Sequence, residues 1–142
     1  MSSVTTYNPQ EVIVIFGGFP LSGFAKDGII EVKPSGEGTK KYVGCDGEVG
    51  RSIDPDATLE VKLELAQTSA SNDYLTDCYK ADQDAGSGMK ELIIKDLSGT
   101  TLIHASQAWV ANLPQAKYGK EIEKFEWTLE TGQASAYIGG ND

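Results

Sequence analysis

Ala57-Thr58-Leu59-Glu60-Val61-Lys62-Leu63-Glu64-Leu65, continuing through Ala66 into Gln67-Thr68-Ser69-Ala70-Ser71-Asn72-Asp73, is the stretch on which the fold turns. Its odd positions from 59 to 65 are aliphatic and its even positions through Glu64 are polar, the period of a strand with one dry and one wet face. The Ser/Asn/Asp cluster that follows offers short side-chain oxygens to the free amides of a helix start, and an acidic residue suits the first turn. A helix is therefore expected over 71–85, with Leu75, Cys78 and Tyr79 at helical spacing. Gly86-Ser87-Gly88 ends it, because glycine enters the left-handed cap conformation cheaply.

Working outward, the flanking segments read as strands that complete a sheet around this pair. Toward the N-terminus, Tyr7-Asn8-Pro9 stiffens the approach to Glu11–Phe16, a run apolar enough for burial on both faces. Gly17-Gly18 turns it, Phe19-Pro20-Leu21 and Gly23-Phe24 suggest a short return strand, and Gly28–Lys33 is a third strand rich in β-branched residues. Between Pro34 and Asp56 glycines recur without sustained apolar periodicity, which indicates a long extended arm, with a hairpin through Lys40–Val43. Loops of that length in a compact domain usually carry a function, so this one is expected to contact a partner.

Toward the C-terminus, Met89–Leu97 and Thr100–Val110 flank the Ser98-Gly99 turn as the clearest hairpin in the chain. Asn112-Leu113-Pro114 breaks the strand, Lys117–Lys124 connects, and Phe125–Glu130 alternates as cleanly as the first strand. Gly132 interrupts, Gln133–Ile138 is a last short strand, and Gly139-Gly140-Asn141-Asp142 is expected to be a loose end. The class is mainly β, a sandwich or barrel-like sheet with one short helix.

The 142 residues suit a single domain over 1–142, large enough to bury roughly 68–70% of its unfolded surface. Twelve basic against twenty-one acidic residues give a net charge of -9 with both signs scattered, which excludes nucleic-acid binding by a basic surface. Met1–Thr6 lacks the pattern of a signal peptide, and the longest aliphatic-aromatic run, Val12–Phe16, is too short for a membrane anchor. Cys45 and Cys78 stand apart without a CxxC or Cys/His pattern. They read as free thiols of a reducing cytosol, with a single disulfide as the alternative.

No catalytic, cofactor-binding or metal site emerges. His104 is the only histidine and sits in a strand pattern without a nucleophile turn nearby, so a structural or exposed role is expected. Asp54-Pro55-Asp56 and Asp82-Gln83-Asp84 lack the glycine and glutamate spacing of a calcium loop and read as turn and helix-end acids. Gly36-Glu37-Gly38-Thr39-Lys40-Lys41 and Gly44-Cys45-Asp46-Gly47-Glu48-Val49-Gly50 fit no phosphate loop. Trp109 and Trp127 could stack on a sugar, yet each fits a strand's alternation and is expected in a core or an interface. A β domain with open edges and a long arm is suited to assembly by strand augmentation.

Several strings, in order along nearly the whole chain, resemble the tail tube proteins of contractile-tailed bacteriophages. They are Thr6-Tyr7-Asn8-Pro9, Gly44–Arg51, Gln67–Leu75, Lys95-Asp96-Leu97-Ser98-Gly99-Thr100-Thr101, and Gly119-Lys120-Glu121 leading to Glu126–Gly132. The resemblance implies a homo-hexameric ring whose sheet continues between subunits, stacked into a tube that conducts DNA during ejection. It implies the tail sheath, baseplate and tail terminator as partners, with the tape measure protein and viral DNA transiently in the lumen. It places the protein in the virion tail, assembled in the host bacterial cytoplasm. It makes 34–56 the inter-ring arm, with Lys40, Lys41, Tyr42, Asp46, Glu48 and Arg51 as its candidate contacts. Glu60, Lys62 and Glu64 on the first clean strand, and Glu126 and Glu130 on the last, are the candidate lumen-facing residues, since an acidic wall repels phosphate. The alternatives are the tube of a phage-tail-like bacteriocin or secretion machine, and a small-ligand or carbohydrate-binding β-sandwich.

Overall fold

The computed structural model describes residues 4–26 and 28–141. The parts of the expectations that concern Met1-Ser2-Ser3 and Asp142 lie outside the described residues. A 3-10 turn at Pro9–Glu11, opened by the Asn8 side chain accepting from the Gln10 amide, leads into β1 (Val12–Phe16) and β2 (Phe19–Pro20). Then come β3 (Ile30–Pro34), β4 (Thr39–Val43), β5 (Val49–Ile53), β6 (Leu59–Ala66) and the helix α1 (Ser71–Ala85). The chain closes with β7 (Lys90–Asp96), β8 (Leu102–Asn112), β9 (Lys124–Thr131) and β10 (Ala134–Tyr137).

One antiparallel sheet runs β2-β1-β7-β8-β9-β6-β3, with β10 continuing the line of β9 alongside β8. It folds into two layers at its irregular points. The register of β8 shifts between its pairs with β7 at Leu92 and Lys90, and β9 gives way to β10 across Gly132-Gln133. The first layer is β3-β6-β9 with the C-terminal half of β8; the second is β2-β1-β7 with its N-terminal half and β10. The segment Leu21–Ala25 sews them together: the Leu21 amide donates to Val14, while Ala25 and Gly23 exchange main-chain hydrogen bonds with Glu64 and Ala66. Phe19–Phe24 is thus not one return strand. Phe19 pairs with Phe16, and Phe24 pairs by its main chain beside Leu65 at the edge of β6.

The dry face of β6 faces the interior as its alternation requires, with Val61, Leu63 and Leu65 fully buried against Trp127, Leu129, Phe16 and Leu92 in one cluster. Burial on both faces of β1 does not hold. Val14 and Phe16 are buried, while Ile13 and Ile15 are half-exposed on the outer side of the second layer.

Helix α1 plugs the corner between layers through Ser71, Asn72, Leu75 and Cys78. Its start is not capped by the expected cluster in the ordinary way: Ala70 holds the cap position without a side-chain bond, and Ser69 Oγ accepts the Ser71 amide instead. Asn72 is diverted to a buried bridge. Its Oδ1 accepts the Trp127 indole N–H at 2.9 Å, and its amide nitrogen donates to the Ala66 carbonyl at 2.9 Å. The Tyr74 hydroxyl donates to the Phe16 carbonyl at 2.8 Å, and burial pushes its pKa up to about 12. Gly86 ends the helix at φ 64°, as expected.

The C-terminal end is not loose. Asn141 bridges to Gly99, and its side-chain amide donates to Asp96 at 2.7 Å, closing the turn of the β7–β8 hairpin.

Candidate assembly surfaces

The outer side of the first layer gathers the candidate acidic residues onto one face. In the β6–β9 register Glu60 stands opposite Glu130, Lys62 opposite Thr128 and Glu64 opposite Glu126, so two pairs assigned to separate strands form a single surface. β3 adds Glu31 beside Lys62 and Lys33 beside Glu60. Sequence reasoning passed over Glu31 and Lys33, although Ile30-Glu31-Val32-Lys33 carries the same alternation. Lys62 leans toward Glu60 at 3.9 Å and partly offsets the field.

Glu64 corrects the expectation that it faces water. Only 7% of it is exposed. One carboxylate oxygen is 2.7 Å from Lys124 Nζ, and the other accepts the Ile29 amide at 3.0 Å. The Lys124 ammonium beside it, with that amide, holds its carboxyl below the ordinary range despite burial. The reason is the chain arriving at β3, which lies across the end of the strand and shuts out solvent. A cleft of about 470 Å³ opens beside it between Ile29, Glu31, Leu113 and Glu126.

The arm is more regular than its composition suggested. β4 and β5 form a separate two-stranded ladder pairing Thr39 with Ile53, Lys41 with Arg51 and Val43 with Val49, and every residue of both strands is exposed. Alternation gives it two faces. One carries Thr39, Ile53, Lys41, Arg51, Val43 and Val49; the other carries Lys40, Ser52, Tyr42 and Gly50. Lys40 is tied to Glu37 at 2.7 Å. At the tip, Gly47 has φ 89° and Asp46 Oδ1 accepts the Glu48 amide, which leaves Cys45, Asp46 and Glu48 outermost.

The Asp54-Pro55-Asp56 acids serve the arm's base. The Asp54 carboxylate accepts the amides of Glu37 and Asp56, each at 2.9 Å, and those bonds lower its pKa. Asp82 sits at the helix end, where it accepts the Gly88 amide at 3.4 Å. Among the described residues no cluster of three His, Cys, Asp or Glu is placed to hold a metal ion.

His104 lies on the outer side of the second layer, 2.8 Å from Glu91, with both side chains partly exposed. Trp127 is core. Trp109 is half-buried on the face that bears Glu130, its neighbour in register. Cys45 is exposed and Cys78 buried, both free, and burial raises the Cys78 thiol. No helix among the described residues is long and apolar enough to cross a membrane.

Comparison with known proteins draws these surfaces together. The family described as the bacteriophage PhiTE tail tube protein matches residues 15–139. Structural protein ORF10 of Pseudomonas phage KPP10 is 31% identical over 145 residues, spanning 96% of this chain and 84% of that protein. Among solved structures, the cap that terminates the anti-feeding prophage tube superposes with a TM-score of 0.66 at 13% identity, over 96% of this chain and 94% of that one. The sheath–tube complex of the PVC extracellular contractile injection system contributes a chain at TM-score 0.66 and 16% identity, covering 93% and 91%. At such identities the likeness is one of fold.

Proposed function

The chain belongs to the phage tail tube protein family, and on that premise we propose that it forms homo-hexameric rings stacked into the tube that conducts DNA during ejection. The observation that carries the finer reading is the single charged face of β3, β6 and β9, set back to back with the core and backed in turn by the second layer. In a closed ring of such subunits one layer faces inward. We assign that role to the first layer, whose Glu60, Glu126 and Glu130, with Lys62 among them, line the lumen; Glu64 stands on the same face but is spent on Lys124.

The physical gain is non-adhesion. Duplex DNA carries about one charge per 1.7 Å of axis, and the Debye length is roughly 8 Å in physiological salt, so a confined duplex still senses its wall. A wall of the same sign does not hold it.

Among the described residues the outer edge of β3, and that of β8 beyond Ala108, carry no partner strand. Both lie free to continue the sheet into neighbouring subunits. The β4–β5 hairpin is the inter-ring arm, through Lys40, Lys41, Tyr42, Asp46, Glu48 and Arg51. Sheath, baseplate and tail terminator are the surrounding partners, and the tape measure protein the transient occupant, in a virion tail assembled in the host cytoplasm. The role is structural, without catalysis.

A second reading, the tube of an extracellular contractile injection system, draws on the fold likeness to the PVC chain. Electron microscopy of the purified protein and of tubes formed from it tests the ring. Six-fold end views with a central channel are expected, and monomers or dimers at every concentration overturn the proposal. Reversing Glu60 and Glu130 to lysine in the phage tests the lumen assignment. Tubes form, but genome ejection slows at low salt and recovers as salt rises; an unaltered ejection rate removes the lumen assignment.

A further inference from the structure

Resting on the reading of the β4–β5 hairpin as the inter-ring arm, we infer that its receptor is the loop 113–123 of a subunit in the next ring. The two features stand at opposite ends of the first layer. The hairpin leaves the body at the Leu59 end of β6, where Pro34 pairs with Leu59. The loop is fastened at the other end, where Lys124 pairs with Ala66 and the Gln67 and Glu123 main chains are joined. From Gly36 to the tip the arm extends about 30 Å at roughly 3.3 Å per residue, comparable to the span of β6 itself. It is long enough to overlap a copy stacked along the strand direction. A contact between opposite ends of identical subunits is heterologous and repeats without closing, which is the symmetry a growing tube needs.

The chemistry of the two ends is complementary. The tip presents Asp46 and Glu48, both exposed, above an apolar stripe of Val43 and Val49. The loop presents Lys117 and Lys120 on either side of Tyr118, which is 75% exposed, with Ile122 exposed beside them. Neither lysine has a carboxylate within ion-pair distance among the described residues. Glu121 and Glu123 follow: the Glu123 main chain is fastened to Gln67 while its carboxylate lies near Gly119 and shares a shallow cleft with Lys117, so the loop offers its lysines beside acids of its own and Lys120 is the more outlying cation. Tip acids set against loop lysines fix the register, and Val43 and Val49 against Tyr118 and Ile122 remove apolar surface from water.

Charge reversal and its rescue test this in the full-length protein. Asp46→Lys with Glu48→Lys, and separately Lys117→Glu with Lys120→Glu, should each leave ring formation intact and raise the concentration needed for tube growth by on the order of tenfold. Combining all four should restore growth. If the loop reversal polymerises normally while the tip reversal does not, the arm keeps its role and this receptor is wrong. If both reversals and a deletion of the hairpin all polymerise normally, the arm reading falls as well. Failure of the fourfold variant to recover, with rings still formed, also overturns the pairing.

Discussion

The β4–β5 and β6–β9 ladders are both antiparallel, both alternate, and differ in nearly everything else. In β6–β9 each strand has a dry face, and Val61, Leu63, Leu65, Trp127 and Leu129 vanish into one core. In β4–β5 the same period sets Val43, Val49 and Ile53 beside Lys41 and Arg51, and among the described residues nothing covers either face. An isolated two-stranded hairpin is marginal in water. One ladder is therefore what makes the subunit fold, and the other is the one we propose meets a second subunit.

The most severe way to break that comparison is to open the core ladder. Leu63→Ala should destabilise the subunit by about 2–5 kcal/mol, read as a lower midpoint in urea or heat. An unchanged midpoint would mean that the β6 register is wrong. Next comes the bridge that joins this ladder to α1. Asn72→Ala leaves the Trp127 indole N–H buried without an acceptor and should cost about 1–3 kcal/mol, with a change in tryptophan fluorescence.

Smaller again is the polar edge of the same ladder. Glu64→Gln keeps an acceptor for the Ile29 amide but loses the charge that holds Lys124, and should cost about 1–2 kcal/mol at neutral pH. Because the folded-state carboxyl titrates below its ordinary value of 4.5, its contribution is complete above that value and is lost as pH falls through the folded pKa. The gap between wild type and Glu64→Gln should therefore close in acid. A gap that does not narrow as the pH is lowered below 4.5 would exclude the ion pair as its source.

The smallest effect on stability belongs to the arm. Replacing Lys40–Gly50 with a short Gly/Ser linker, or Tyr42→Ala alone, should shift stability by less than about 0.5 kcal/mol. The linker variant should nevertheless abolish tube growth. A large loss of stability there would show that the hairpin belongs to the core after all.

How legible each ladder was follows from the same contrast. The strand at 59–66 and the helix at 71–85 were readable because burial imposes a period that survives in sequence, and Gly86 supplied the stop. The strands of the arm were half-readable. Without a dry face, Lys40–Val43 and Val49–Ile53 look like loop composition, and only the Cys45-Asp46-Gly47-Glu48 turn betrays them. The split of Phe19–Phe24 between two partners has no local signature, because long-range closure decides it. The burial of Glu64 was hidden for a similar reason: alternation assigns a side of the sheet, while the chain near Ile29 that covers that side comes from far away. The clasp of Asn141 on Asp96 depends on a turn formed by residues 96–101, which no periodicity of the C-terminal end reveals.

The hairpin also raises a question of storage before any tube exists. Among the described residues both of its strands carry an edge without a partner strand, the geometry that lets loose chains stack into amorphous sheets. Lys40, Lys41 and Arg51 break up the valines and isoleucine along those edges, and placing like cations on like makes random edge-to-edge pairing unfavourable. A newly made pool of subunits can then accumulate without clotting and wait for a correct growing end. Exchanging Lys40 and Lys41 for valine would leave each molecule folded and turn a clear concentrated solution turbid.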